Sequence, residues 1–278
     1  MPIIDLHSHT TASDGEHSPE VLIDLAAQAG VTHLAITDHD TVASLAAART
    51  AAELRGIELV DGIEISAYLE NREVHVLGYF VDPASEELRS IQGRFGDERR
   101  VRMEQMVAKL QALGFPVHMA QVETVAAGAQ LGRPHLARVL MQLGYVTSTQ
   151  EAFERFLGDG RPAHVENRRI TAEGAVALIG RAGGVASIAH PGVTRITKPE
   201  LERLRAAGLG GLEAIHPEHP PSQQALFLRW TRELDLVPTA GSDFHGQRVS
   251  PHRHLGQVSL PEADFTALRA RSSRAMRL

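Results

Sequence analysis

Apolar and polar positions along this chain fall into two repeating patterns. Short apolar runs at 33–37, 57–60, 73–81, 185–189, 211–215 and 237–240 read as buried strands, and the stretch 3–9 opens the series. Between several of them, apolar residues recur every three or four positions, at 19–29, 42–55, 172–182 and 222–234, with a further helix starting near 198. Helix boundaries support the reading. Ser18-Pro19 supplies an N-cap and a proline at the first helical position, Gly30 and Gly56 supply stops, and Thr197 with Glu200 forms a capping box. The strand–helix alternation predicts a parallel α/β core with its functional end at the strand C-termini. The segment 62–65 is expected to continue the third strand after a kink, and 254–259 to form a last strand.

Between residues 84 and 160 the strand signals vanish. The pattern predicts one long charged helix over 85–113, broken near Gly93 or Gly96, and shorter helices at 118–127, 134–143 and 149–157. We therefore expect a helical insertion at 85–160 within a core made of 1–84 and 161–278. About seven strand–helix units favour a closed barrel over an open sheet.

The chemistry lies at the predicted strand ends. Asp5, His7 and His9 are spaced two apart, so one extended strand turns all three to the same face. Asp14, His39, Glu64, His75, His190, Asp243 and His245 follow at later strand ends or turns. A core has no use for so many converging carboxylates and imidazoles, whereas cations make such a cluster tolerable. The chain has no cysteine, which excludes disulfides and thiolate sites and leaves His, Asp and Glu as the only strong ligands. A net charge of −6 gives no general attraction to nucleic acid or anionic membrane. No apolar run reaches membrane-spanning length, and no leader precedes the first strand, so a cytoplasmic protein is expected.

Taken together, HxH (His7, His9), SDG (Asp14), TDHD (His39), GIEIS (Glu64), HVLGY (His75), AHPG (His190) and SDFH (Asp243, His245) resemble the polymerase and histidinol phosphatase (PHP) family along the whole core. The resemblance implies a distorted (β/α)7 barrel with an inserted helical subdomain. It also implies two or three divalent ions, manganese first with zinc or iron as alternatives, and hydrolysis of phosphoesters. By motif, one ion takes His7, His9, Glu64 and Asp243. A second takes Glu64, His75 and His190, and a third takes Asp14, His39 and His245. Glu64, His190 and Asp243 are expected to act through an ion-activated hydroxide.

The segment Gly132-Arg133-Pro134-His135 is similar to a subgroup acting on nucleotides. The implied substrate is a nucleoside 3′,5′-bisphosphate losing its 3′-phosphate, with short RNA degraded from its 5′ end, or a histidinol-phosphate-type substrate, as alternatives. Arg133, His135 and Arg195 are the expected substrate contacts. Asp5 is expected to orient an imidazole. Asp40 serves either the site or a helix cap, and Glu213 and His216 either touch substrate or sit at a satisfied rim.

Overall fold

The computed structural model describes residues 2–70, 72–129, 131–166 and 170–273. The chain begins with β1 (Ile3–Asp5), α1 (Pro19–Gln28), β2 (Val31–Ile36), α2 (Leu45–Arg55), β3 (Glu58–Leu69) and β4 (Arg72–Tyr79). A helical stretch follows: α3 (Glu86–Ala112), α4 (Met119–Ala126), α5 (Arg133–Gln142) and α6 (Thr149–Ala152), the last running into a π-helical turn at Phe153–Leu157. The alternation then resumes with α7 (Ala172–Arg181), β5 (Val185–Ile188), α8 (Pro191–Thr194), α9 (Lys198–Ala206) and β6 (Gly211–Ile215). It closes with α10 (Pro221–Glu233), β7 (Val237–Ala240) and α11 (Glu262–Ala270).

The strands form one seven-stranded sheet in the order β1 to β7. Pairing is parallel from β1 to β3 and from β5 to β7, while β4 is antiparallel to both neighbours. An all-parallel core was expected, but only residues 70–71 separate β3 from β4, and a parallel crossover takes a dozen or more residues. The sheet is not closed, so the expected closed barrel is corrected to an open, mostly parallel sheet. Beyond the strand ends, the Leu6 amide donates to Ala240 O, the Asp243 amide to His7 O and the His9 amide to Phe244 O. The first and last strand extensions are thereby laced together where the HxH and SDFH motifs sit.

Three other expectations change. β3 runs unbroken through residue 62. α3 runs unbroken through Gly93 and Gly96. Residues 254–259 form turns, not a strand, and α11 was not foreseen; its Phe265 and Leu268 bury beside Ile4 and Leu260.

Apolar residues sort into separate clusters. The main one packs α1, α2, α7 and α9 on the sheet and includes Leu88 and Phe95 from the start of α3. A second one, around Met106, Leu110, Leu136, Leu140 and Leu157, lies within the helical stretch. α3 therefore spans both clusters, anchored to the sheet at one end and to the helices at the other.

Candidate metal centre

The nine side chains singled out above converge at one end of the sheet. His7 and His9 follow β1, His39 follows β2, His190 follows β5, and Asp243 and His245 follow β7. Glu64 lies inside β3, in the part that overshoots its parallel pairing with β2, and is bridged to His39. His75 lies in the first half of β4. It reaches the same end as the others because β4 runs antiparallel, a placement that strand-end reasoning alone does not give. The backbone of the β7 extension passes so close to His7 that a Cβ at Gly241 would lie 2.2 Å from the His7 Cβ; only glycine fits there.

Glu64 is the hub. Its Oε2 lies 3.3 Å from His7 Nε2, 3.2 Å from His9 Nε2 and 3.2 Å from His39 Nδ1. Its Oε1 lies 2.9 Å from His75 Nδ1 and 3.3 Å from His190 Nε2. Asp243 Oδ1 lies 3.3 Å from both His7 Nε2 and His9 Nε2. Asp14 lies 3.3 Å from His245 Nε2, 3.8 Å from His39 Nε2 and 3.9 Å from His9 Nδ1. Three groups could each hold an ion: His7, His9 and Asp243; His39, Glu64 and His75; and His9, Asp14, His39 and His245. The partition differs from the motif-based one, since His39 reaches Glu64 as well as Asp14, and His9 stands between two groups.

The donor set fits divalent cations. His7 Nε2, both nitrogens of His9, His39 Nδ1, His75 Nδ1, Asp14 Oδ1 and Glu64 Oε2 are buried with no hydrogen-bond partner in the protein. Such atoms are costly unless something charged satisfies them. Their protonation tells the same story. Burial drives His39 down to about 3 against the pull of Glu64 and Asp14. Burial also opposes protonation of His9 and His75, but the Asp243 and Glu64 carboxylates, 3.3 and 3.2 Å from His9 Nε2, hold His9 up at about 9, and the Glu64 charge holds His75 up at about 10. Burial disfavours the Glu64 carboxylate too, yet His39, His75 and His7 keep it well below its ordinary range. Without cations the carboxylates hold protons on selected imidazoles in their place.

A supporting layer surrounds the nine; the sequence singled out Asp5, Asp40, Glu213 and His216 but not Arg253, nor which partner each takes. Glu213 is fully buried beneath His7, so it is neither at a rim nor beside a substrate. His216 is also fully buried, 3.6 Å from Asp243 Oδ2. Arg253 binds the Asp243 carboxylate and its backbone oxygen, and also Glu218. Asp5 contacts no imidazole. Its carboxylate accepts the backbone amides of His7, Ser242 and Gly256, tying β1 to the segments that follow β7. Asp38 accepts from Thr10, Ser13 and Ser44, fixing the loop that carries Asp14. Asp40 accepts the Ser66 amide and pairs with Arg99 of α3, which ties the helical stretch to the loop bearing His39.

A cleft of about 120 Å³ opens beside the cluster, between Asp14, His39 and His75 on one side and Arg99, Arg102, Arg133 and Phe153 on the other. Glu73 sits between two guanidiniums, 3.2 Å from Arg133 and 2.9 Å from Arg102, and 3.4 Å from His75 Nε2. Arg133 also reaches Asp159, whose side chain is 42% exposed. Of the other expected substrate contacts, His135 is buried behind this wall. Its Nδ1 accepts the Gly132 amide, and burial pushes its pKa down to about 4, so it is neutral. Arg195 is exposed at the end of α8, outside the cleft lining. Arg99 and Arg102 went unforeseen because only α3's packing aims them here.

Comparison with known proteins settles the family. A PHP domain matches residues 5–89. A 5′-3′ exoribonuclease of Haemophilus influenzae is 36% identical over 87% of this chain and 89% of its own length. The chain belongs to the PHP family. A second PHP relative, the 3′,5′-nucleoside bisphosphate phosphatase of Chromobacterium violaceum, is 35% identical, with 88% of each chain covered. The solved structure of a Bifidobacterium adolescentis protein, assigned as a metal-dependent phosphoesterase, superposes with a TM-score of 0.88 at 31% identity over 96% of both chains. This PHP protein is accordingly a metal-dependent phosphoesterase, a hydrolase, whose relatives act on nucleotide and RNA substrates. Among the described residues, no helix is long and apolar enough to cross a membrane.

Proposed function

We propose that the protein removes the 3′-phosphate from nucleoside 3′,5′-bisphosphates such as 3′-phospho-5′-AMP, using two or three divalent ions, manganese first among them. His7, His9, Asp14, His39, Glu64, His75, His190, Asp243 and His245 hold the ions, with Glu64 shared between them. The strand extensions that meet at His7 and Asp243 hold the ion-binding side chains together, and residues 85–160 act as a cap over them.

The carrying observation is the arginine-lined wall facing the cluster across a small cleft. A substrate with one phosphate has no need of it; a second phosphate does. Arg133 and Arg102 are set to take the distal 5′-phosphate by paired N–H donation, a geometry in which guanidinium excels. Glu73 holds both guanidiniums at a fixed separation, and the rim contact to Asp159 is the one a phosphate displaces. Phe153, with its ring 5.4 Å from the Arg133 guanidinium, keeps that arm flat against the wall. When bound, the ions supply a nucleophile at neutral pH and offset charge on the transferring phosphoryl group. The chain's own part is to fix the donors, exclude bulk water and align the ester through its distal phosphate.

Phosphate release from 3′-phospho-5′-AMP should exceed that from 3′-AMP, which lacks the distal group, by roughly 10- to 100-fold in kcat/KM, the worth of one buried charge-assisted contact. Equal rates on the two, or turnover of histidinol phosphate in preference to both, would overturn the substrate reading. A second reading is 5′→3′ exoribonuclease action on short RNA, favoured by the similarity to the Haemophilus influenzae enzyme. A 5′-phosphorylated RNA oligomer assayed beside the bisphosphate separates the two.

A further inference from the structure

Glu213 is charged, fully buried and unused by the chemistry above. It projects from β6, the one strand between β5 and β7, and contributes nothing to the three ion-holding groups. Both its oxygens are nevertheless committed to residues that do. Oε1 lies 2.9 Å from His7 Nδ1, and Oε2 accepts the His190 backbone amide at 2.6 Å.

Each contact has a specific consequence. An ionised carboxylate only accepts, so His7 Nδ1 carries the proton in this pair. That leaves Nε2, the buried nitrogen facing Glu64 and Asp243, as the free donor atom. The second contact falls on a strained residue: His190 has φ 28° and ψ 59°, in the left-handed region that a non-glycine residue adopts only when its surroundings impose it. Glu213 therefore fixes the tautomer of one ligand and the backbone of another, from strands that are not neighbours in the sheet.

We propose that Glu213 is a positioning residue for ion binding, setting His7 and His190 together. This rests on the reading of those two histidines as ligands. A carboxylate is required because two donors converge on it. In Glu213→Gln the amide oxygen can serve one donor, and the NH2 group then confronts the other.

The test measures affinity for Mn2+ by electron paramagnetic resonance, and retained metal by elemental analysis after dialysis, for wild type, Glu213→Gln, Glu213→Asp and His7→Ala. Chelator-stripped samples are melted in parallel. Loss of the orienting contacts should weaken Mn2+ binding in Glu213→Gln by roughly 10- to 100-fold. Glu213→Asp, which keeps the charge but loses reach, should show a smaller loss in the same direction and carries the test if the Gln variant does not fold. A merely structural Glu213 would lower the melting temperature of the stripped protein and leave Mn2+ affinity in the folded variants at the wild-type value; that result overturns the proposal. If wild type and His7→Ala bind Mn2+ equally, the ligand reading itself fails, and the two failures are thus distinguishable.

Discussion

The floor of the cleft and its helical wall solve opposite electrostatic problems. On the floor, carboxylates and imidazoles meet with several buried atoms that have no hydrogen-bond partner in the protein, and backbone hydrogen bonds between strand extensions hold them in place. On the wall, Arg99, Arg102 and Arg133 are already paired to Asp40 and Glu73, and each also donates to a backbone carbonyl, of Leu131, Val165 and Leu157 in turn. The floor is incomplete without cations and rigid around them. The wall is complete by itself and adjustable, because an anion can exchange with a carboxylate. On the function proposed above, chemistry common to phosphoesters belongs to the first, and choice among substrates to the second.

The sharpest way to break that division is Glu64→Ala. The hub faces five imidazoles, so its loss should cut kcat by about a thousandfold or more, and lower the metal content measured after dialysis. Full metal content in the variant would show that the floor does not depend on its hub. Arg133→Ala is the matching change on the wall. It should raise KM for a 3′,5′-bisphosphate by roughly 10- to 100-fold while leaving kcat on p-nitrophenyl phosphate within about threefold. Steady-state kinetics on the two substrates decide it, and equal losses on both would move Arg133 from the wall's role to the floor's.

A smaller effect concerns the wall's own stability. His135 has a pKa of about 4 in the folded protein against an ordinary 6.5, because burial disfavours its charged form. The unfolded chain therefore takes up that proton first as the pH falls. Stability is full above about pH 6.5 and is lost toward pH 4, by about 3 kcal/mol from this one group. Urea melts of chelator-stripped wild type and His135→Gln across this window should converge as the pH drops; parallel curves would show that His135 is not the titrating group. The smallest effect is expected at Arg195. It is exposed at the end of α8 and lies outside the cleft lining, so Arg195→Ala should change KM by less than about twofold. A larger change would extend the substrate surface beyond the wall.

Floor and wall also differ in how far they can be read from the chain. His7 and His9 are legible because a strand has a period of two, and His39, His190, Asp243 and His245 because parallel strands present their C-terminal ends together. His75 was placed correctly among them for an incomplete reason, since β4 enters the site from the other direction. Arg133 stood out by its motif, but Arg99 and Arg102 lie in a long charged helix where nothing distinguishes them from solvated neighbours. Arg253 was equally inconspicuous, and Glu213 was noticed only as a strand-end charge, since a lone charge at a strand end or in a loop has no spacing to betray its partner.

By itself the sequence determined the alternation of strands and helices, the helical stretch in the middle, and the set of side chains gathered around Glu64. These follow from local periodicity, capping and the covalent order of strand ends. Only the tertiary structure decided the direction of β4, the open sheet, the pairing of Arg99 with Asp40 and of Arg102 and Arg133 with Glu73, and the two bonds of Glu213. The direction of β4 follows from how far β3 extends toward it, leaving room only for a tight turn; the others depend on contacts between residues far apart in the chain, where partner choice is set by packing and by the cost of leaving a buried charge unmatched.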